Sequence, residues 1–315
     1  MQRIIFVPQY PTPLRYQEWW IYKIPQKLRE AGFEVVTLGE KWLRLFGNTP
    51  SDESMFSPIN MAITFEAEQI QEYMEMKLYT DDILFLADLS FPGFFGNVLY
   101  HKKPSQAYAF CHATSINTYD YFQDVSYSKF LVERAYAKVF DKIFVGSYYH
   151  RDKLQWDNIE IVYLPYPPFK GKSVKWEDKY YDIMSASRPT KQKVDLELEK
   201  EVGKKFSQVN RPISKSWGEY FNHLAYSKVL LITSHEDTFG YQIIDAILNG
   251  CIPIARNDLA YPEILPSTYL YSDEKELFRR LEDALSGKLV VPQAMCHDEM
   301  EEFYKNIIET FREGG

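Results

Sequence analysis

Residues 234–258 read SHEDTFGYQIIDAILNGCIPIARND, and they follow KVLLIT (228–233), an apolar run with the length and composition of a buried strand. The chain leaves that strand through two adjacent acids, Glu236 and Asp237. It turns on Phe239-Gly240 and enters an apolar helix that carries a third acid, Asp245. In an open α/β sheet, a loop at the carboxyl end of a strand faces the ligand crevice. Gly240 lets the backbone take φ > 0 or approach a ligand closely. The helix start after it has unpaired N–H groups and the positive end of a dipole, which suit phosphate. A carboxylate beside such a site repels phosphate but accepts hydrogen bonds from hydroxyls. Asp237, with Glu236 beside it, therefore suits a hydroxyl-rich group. The backbone from Thr238 through Phe239 and Gly240 to Tyr241 suits a diphosphate, and Asp245, eight residues after Asp237, suits a ribose. That order of groups describes a sugar nucleotide. The ordinary alternative is that Asp237 and Thr238 cap the helix and Asp245 is a solvated helix residue.

At 315 residues and 45% hydrophobic content the chain is long enough for two cores. A net charge of −8 gives no general attraction for polyanions, although FKGKSVK and KQK are locally basic. Cys111, Cys251 and Cys296 have no metal-type spacing, and their odd number argues against a disulfide framework. A reducing, cytoplasmic setting fits. The opening MQRIIFVPQYPTPLRY lacks the apolar run and cleavage site of a signal peptide. No stretch reaches the length of a membrane span.

Short apolar runs alternate with helical patterns from the start. IIFV (4–7), a helix over 18–32 that Pro25 kinks or begins, a Gly32 cap and EVVTL (34–38) make a β-α-β opening. Strands are expected at 82–87, 107–112, 142–147 and 159–165, with a helix at 128–140. The Pro- and Lys-rich stretch 164–179 breaks the pattern and reads as a hinge. A second series follows, with strands at 180–187, 228–234 and 252–257 and helices at 194–206, 217–227, 241–250 and 276–287. A last helix spans 297–313. The fold expected is α/β, with two Rossmann-like, doubly wound domains facing across a cleft. The boundaries expected are 1–166 for an acceptor-side domain and 167–296 for a nucleotide-sugar domain. A helical tail, 297–315, is expected to pack back toward the first.

The stretch also resembles the C-terminal signature of retaining glycosyltransferases of the GT-B fold, family 4. The resemblance rests on Asp237, Phe239-Gly240, Asp245, AILNG, CIPIA and Tyr261-Pro262-Glu263. That family usually has Glu at both acid positions, where this chain has Asp. NDLAYPEILPSTYLYSDEKELFRRLEDAL (257–285) is similar to the matching part of queuosine-tRNA mannosyltransferases.

The resemblance implies transfer of a sugar from a UDP- or GDP-sugar to an acceptor hydroxyl, with retention, no further cofactor and no bound metal. It implies that Asp237 orients the donor sugar, that Asp245 holds the ribose, and that Arg188 and either Lys191 or Lys193 neutralise the diphosphate. His112, at the end of an expected strand, would touch donor sugar or acceptor, and its alternative is a satisfied half-buried histidine. Ser147 reads as a cap. Two departures stand out. PQYPTPLRYQEWW replaces the family's glycine-rich loop, so an acceptor could stack on Tyr10, Trp19 or Trp20, with packing as the alternative. Only about fifty residues separate Arg188 from Asp237, so the second domain looks trimmed by a strand–helix unit. The acceptor implied is a glycan or lipid-linked glycan, with a modified nucleoside in nucleic acid as the minority choice. The competing activities are a sugar-nucleotide epimerase or phosphorylase on the same fold, or a non-catalytic sugar-nucleotide-binding module.

Overall fold

The computed structural model describes residues 2–46, 59–89, 99, 102–117, 127–187, 193–206 and 209–314. The first part of the chain forms β1 (Arg3–Val7), α1 (Tyr16–Glu30), β2 (Glu34–Thr37), α2 (Glu40–Phe46), α3 (Ile59–Glu75), β3 (Ile83–Leu86) and β4 (Gln106–Phe110). It continues through α4 (Tyr127–Ala137), β5 (Lys142–Val145), α5 (Tyr148–Leu154) and β6 (Ile159–Ile161). Its six strands are all parallel, in the order β2-β1-β3-β4-β5-β6. Alternation along each strand explains the two layers, because successive side chains point to opposite faces. Ile4, Phe6, Ile83, Phe85, Tyr108, Phe110 and Phe144 join one buried cluster; Ile5, Val7, Leu84, Leu86, Ala107, Ala109, Ile143 and Val145 join the other. Strands covered on both faces need such continuous apolar runs.

Helix α1 begins at Tyr16 and runs through Pro25 to Glu30, so proline neither starts nor ends it. Buried Trp19, Trp20, Ile24 and Leu28 hold it against the sheet, while Ile21 joins a separate cluster with Trp42 and Phe65. It closes with Phe33 N–H on the Leu28 carbonyl (3.1 Å), Gly32 N–H on the Arg29 carbonyl (3.0 Å), and Gly32 at φ +94°. This is the paired-bond helix ending that favours glycine.

After the connection 162–180 the chain forms β7 (Tyr181–Met184), α6 (Leu196–Lys205), α7 (Trp217–Ala225), β8 (Ser227–Ile232), α8 (Tyr241–Leu248), β9 (Ile252–Arg256), β10 (Leu270–Tyr271) and α9 (Glu274–Leu285). These four strands are also parallel, in the order β10-β9-β8-β7. Beyond β7 the next strand is, among the described residues, one bridge, Met184 to Asn210. Ser185 N–H donates to the Asn210 carbonyl (2.8 Å) and Asn210 N–H to the Ile183 carbonyl (2.9 Å). That single bridge is the form the trimming takes. It still puts a reversal of strand order between β7 and β8, as there is between β1 and β3 in the first sheet. Crevices for ligands open at such reversals.

The last helix, α10 (His297–Glu313), lies on the first sheet. The Phe311 ring is 5.2 Å from Phe85 and 5.0 Å from Tyr108; Phe303 is 5.7 Å from Trp20. Arg312 donates to the Ala31 carbonyl at 2.9 Å. No helix among the described residues is long and apolar enough to cross a membrane.

Candidate functional site

The corner between β8 and α8 lies at the junction of the two halves. Gly240 has φ +99°, and a Cβ there would meet the Tyr261 ring at 3.1 Å and Ile264 Cδ1 at 3.3 Å. Only glycine fits that conformation and that space. Asp237 holds the turn from inside. Its Oδ1 accepts from Gly240 N–H (2.8 Å) and Phe239 N–H (3.2 Å), and its Oδ2 from the Tyr261 hydroxyl (3.3 Å). The Phe239 and Gly240 amides, offered to a diphosphate by the sequence reading, are here engaged by Asp237. Phe239 is buried beside Gly146, Tyr163 and Tyr241. The Phe-Gly corner thus faces the other half of the protein and not bulk solvent.

The loop is pinned to the first half along its length. Thr238 Oγ1 donates to the His112 carbonyl (2.8 Å), and Ser147, which caps α5, donates to the Thr238 carbonyl (2.5 Å). Glu236 is 2% exposed and points away from its own sheet. Its carboxylate accepts from Asn117 Nδ2 (3.2 Å) and the Tyr149 hydroxyl (3.1 Å) and pairs with Lys153 Nζ. Lys193 Nζ holds the Glu236 carbonyl at 2.7 Å. Glu263, of the Tyr-Pro-Glu segment, accepts from the Tyr148 and Tyr149 amides at 2.8 and 2.6 Å. Tyr241 reaches the Pro165 carbonyl (2.9 Å) and packs on Trp19. Its hydroxyl is thereby engaged within the protein.

Asp245 is buried on the face of α8 that meets α7, so it is not the solvated helix residue of the simpler reading. Its Oδ2 accepts from the Tyr220 hydroxyl at 3.1 Å, and burial pushes its carboxyl up to about 7. His112 lies two residues beyond β4, with its ring stacked on Tyr16 (3.9 Å between centroids) and close to Trp20 and Phe110. Nε2 is buried without a partner, and burial with His150 nearby holds the imidazole well below its usual value, so it is neutral. Tyr10, Trp19 and Trp20 are themselves buried, and so give an acceptor no open face to stack on. Arg188 and Lys191 lie outside the described residues.

At the β7/β8 reversal, several polar groups absent from the sequence reading converge. Glu199 accepts from Ser185 Oγ (3.0 Å) and Thr233 Oγ1 (2.9 Å) and pairs with Arg211, which also reaches the Ser187 carbonyl. Ser187 Oγ donates to Gln242 (2.9 Å) and lies 3.4 Å from Ser234 Oγ. Arg211 follows the Asn210 bridge directly, so its place at the crevice depends on a strand too short to leave a periodic signal. Asn117, Tyr149 and Lys153 carry no motif either; topology alone brings them to Glu236.

One group of side chains with metal-ligand chemistry stands together among the described residues: His297, Asp298 and Glu301 at the start of α10. His297 is engaged by Tyr166 at one ring nitrogen and lies 3.3 Å from Glu301 at the other.

No protein-family model matches the chain. A 63-residue segment is 36% identical to tRNA-queuosine alpha-mannosyltransferase of Drosophila melanogaster; the match covers 20% of this chain and 17% of that protein. Among solved structures, sucrose-phosphate synthase from Thermosynechococcus elongatus superposes at TM-score 0.62 with 12% identity, covering 99% of this chain and 94% of that one. A trehalose-6-phosphate synthase, studied for glycosyl transfer with retention, superposes at 0.59 with 12% identity and 99% of each chain. The two-sheet architecture is the GT-B glycosyltransferase fold.

Proposed function

We infer that the chain is a glycosyltransferase that moves a sugar from a nucleoside-diphosphate donor to an acceptor hydroxyl, with retention of anomeric configuration. The observation that carries this reading is the Phe239-Gly240 corner on a GT-B fold, buried at the junction of the two halves with Lys193 beside it. The β7/β8 crevice next to it supplies hydroxyl-binding groups and Arg211. In the reaction, the acceptor oxygen forms a bond to the anomeric carbon as the bond to the diphosphate oxygen breaks. The acceptor's proton passes to the departing phosphate on the same face of the sugar. Lys193, with Arg188 and Lys191 shortly before it in the sequence, would balance the charge that develops on the leaving group. Neutral His112 would act as a hydrogen-bonding group rather than a cation. Retention is supported by the trehalose-6-phosphate synthase likeness and not by any nucleophile in the site. The coupling of Asp237 to Tyr261 and the loop amides gives that residue a shaping role in addition to any hydrogen bond to sugar.

A second reading has an observation of its own. Asp237 and Asp245 both direct their carboxylates at protein partners, as they would in a module that binds sugar nucleotides without turning them over. Thermal-shift titration with UDP, GDP, ADP and their sugars, followed by a nucleotide-release assay on whichever binds, separates the two. Stabilisation by one nucleotide with release of diphosphate supports transfer. Stabilisation without release supports the binding module, and no stabilisation by any of them removes both.

A further inference from the structure

At the reversal of strand order in the first sheet, the carboxyl ends of β1 and β3 and one face of α3 enclose a recess of about 30 Å³. That is room for one or two water-sized groups. Gln9, Tyr10, Glu66, Gln69 and Asp88 supply its polar lining, and among the described residues no Lys or Arg lines it. Asp88 is 7% exposed. Its Oδ2 accepts from Gln9 Nε2 (2.7 Å) and the Tyr16 hydroxyl (3.0 Å), and its Oδ1 from the His112 amide (3.2 Å). Lys102 and Lys103, which follow β3 in the chain, are engaged elsewhere. Lys102 Nζ donates to the Tyr73, Met74 and Met76 carbonyls at the end of α3, and Lys103 lies 3.4 Å from Asp141. A phosphate in this recess would meet two carboxylates in place of the Arg or Lys that phosphate recognition uses. Carboxylate, amide and phenol groups around a small recess match a hydroxyl.

We propose that this recess receives a hydroxyl of the acceptor, and that the acceptor carries no phosphate at that end: it is a non-anionic polyol. The proposal rests on the glycosyl-transfer reading for the word acceptor, but the ligand chemistry is a property of the recess alone. Sucrose-phosphate synthase and trehalose-6-phosphate synthase are named for phosphorylated sugars, and no described Lys or Arg lines this recess to hold such a group.

The test is donor-free, so it stands whatever the nucleotide experiment gives. Binding of glucose, mannose and fructose, each against its own 6-phosphate, is measured by ligand-observed NMR on the full chain. At least one free sugar should bind with a Kd tenfold or more below that of its phosphate. Glu66→Gln should narrow that ratio, and Glu66→Lys should narrow it further. Asp88→Asn should weaken the free sugar. Equal or tighter binding of the phosphates, no saturable binding of any free sugar, or a ratio unmoved in both Glu66 variants would each overturn the proposal.

Discussion

Gly240 and Asp237 work together: the glycine makes the turn possible and the aspartate holds it. Gly240→Ala forces a side chain into the left-handed region, at about 1–2 kcal/mol, and against Tyr261, at about 1–3 kcal/mol. Urea unfolding should register a loss in that combined range. Asp237→Ala removes the acceptor for two amides and the Tyr261 hydroxyl, so it should cost roughly 1–2 kcal/mol as well as transfer activity. Asp245 gives a pH signature. Its carboxyl is raised in the folded protein, so between about pH 4 and about pH 7 the folded state binds the extra proton and stability falls as pH rises. Above about pH 7 both states are ionised and this contribution is flat. Asp245→Asn should abolish a slope worth at most about 4 kcal/mol and leave the variant more stable than wild type at pH 8. Urea midpoints at pH 5 and pH 8, compared between the two proteins, check it. The chemistry of these residues was legible in the sequence, because acids and glycine at that spacing after a strand restrict what a loop can do. Their partners were not. Tyr261 and Tyr220 lie 24 and 25 residues away from Asp237 and Asp245, and nothing in a linear pattern says which way a carboxylate turns.

Helix α5 and the loop after β8 meet through one buried ion pair. Lys153 is partly covered and Glu236 almost wholly so. Lys153→Met strands the Glu236 carboxylate with only Asn117 and Tyr149, and should cost roughly 2–4 kcal/mol. Adding Glu236→Gln should recover part of that loss. A double-mutant cycle by urea unfolding reads the coupling, and strictly additive losses would show that the pair contributes nothing. The strands of both halves were legible because parallel strands buried on two faces must be apolar throughout. Helices 40–46 and 59–75 were not assigned from sequence, although Ala62, Phe65, Gln69 and Tyr73 recur at helical spacing and are buried. Of the two readings of Pro25, a helix start fails, because the helix already begins at Tyr16 and buried side chains on both sides of the proline hold it together.

Across the whole molecule, a C-terminal helix packs on the first sheet, so the ends of the chain share a core. Phe311 is fully buried among Phe33, Phe85, Tyr108 and Phe144. Phe311→Ala should cost about 3–5 kcal/mol, measured by thermal or urea unfolding. The two-sheet plan was legible from the alternation of strands and helices, and the trimming from the short distance between two motifs. That a one-residue bridge preserves the reversal between β7 and β8 was not, since a single pair of residues carries no period. The central claim is that the loop 234–240 serves sugar transfer from a nucleotide donor. Its most direct test is the rate of nucleoside diphosphate release from a panel of nucleotide sugars, in the presence of mixed free sugars, by wild type and by Asp237→Ala. The account predicts that wild type turns over one donor class and that the variant, still folded, is at least a hundredfold slower. Equal rates in the two proteins, or no release from any donor, would contradict it.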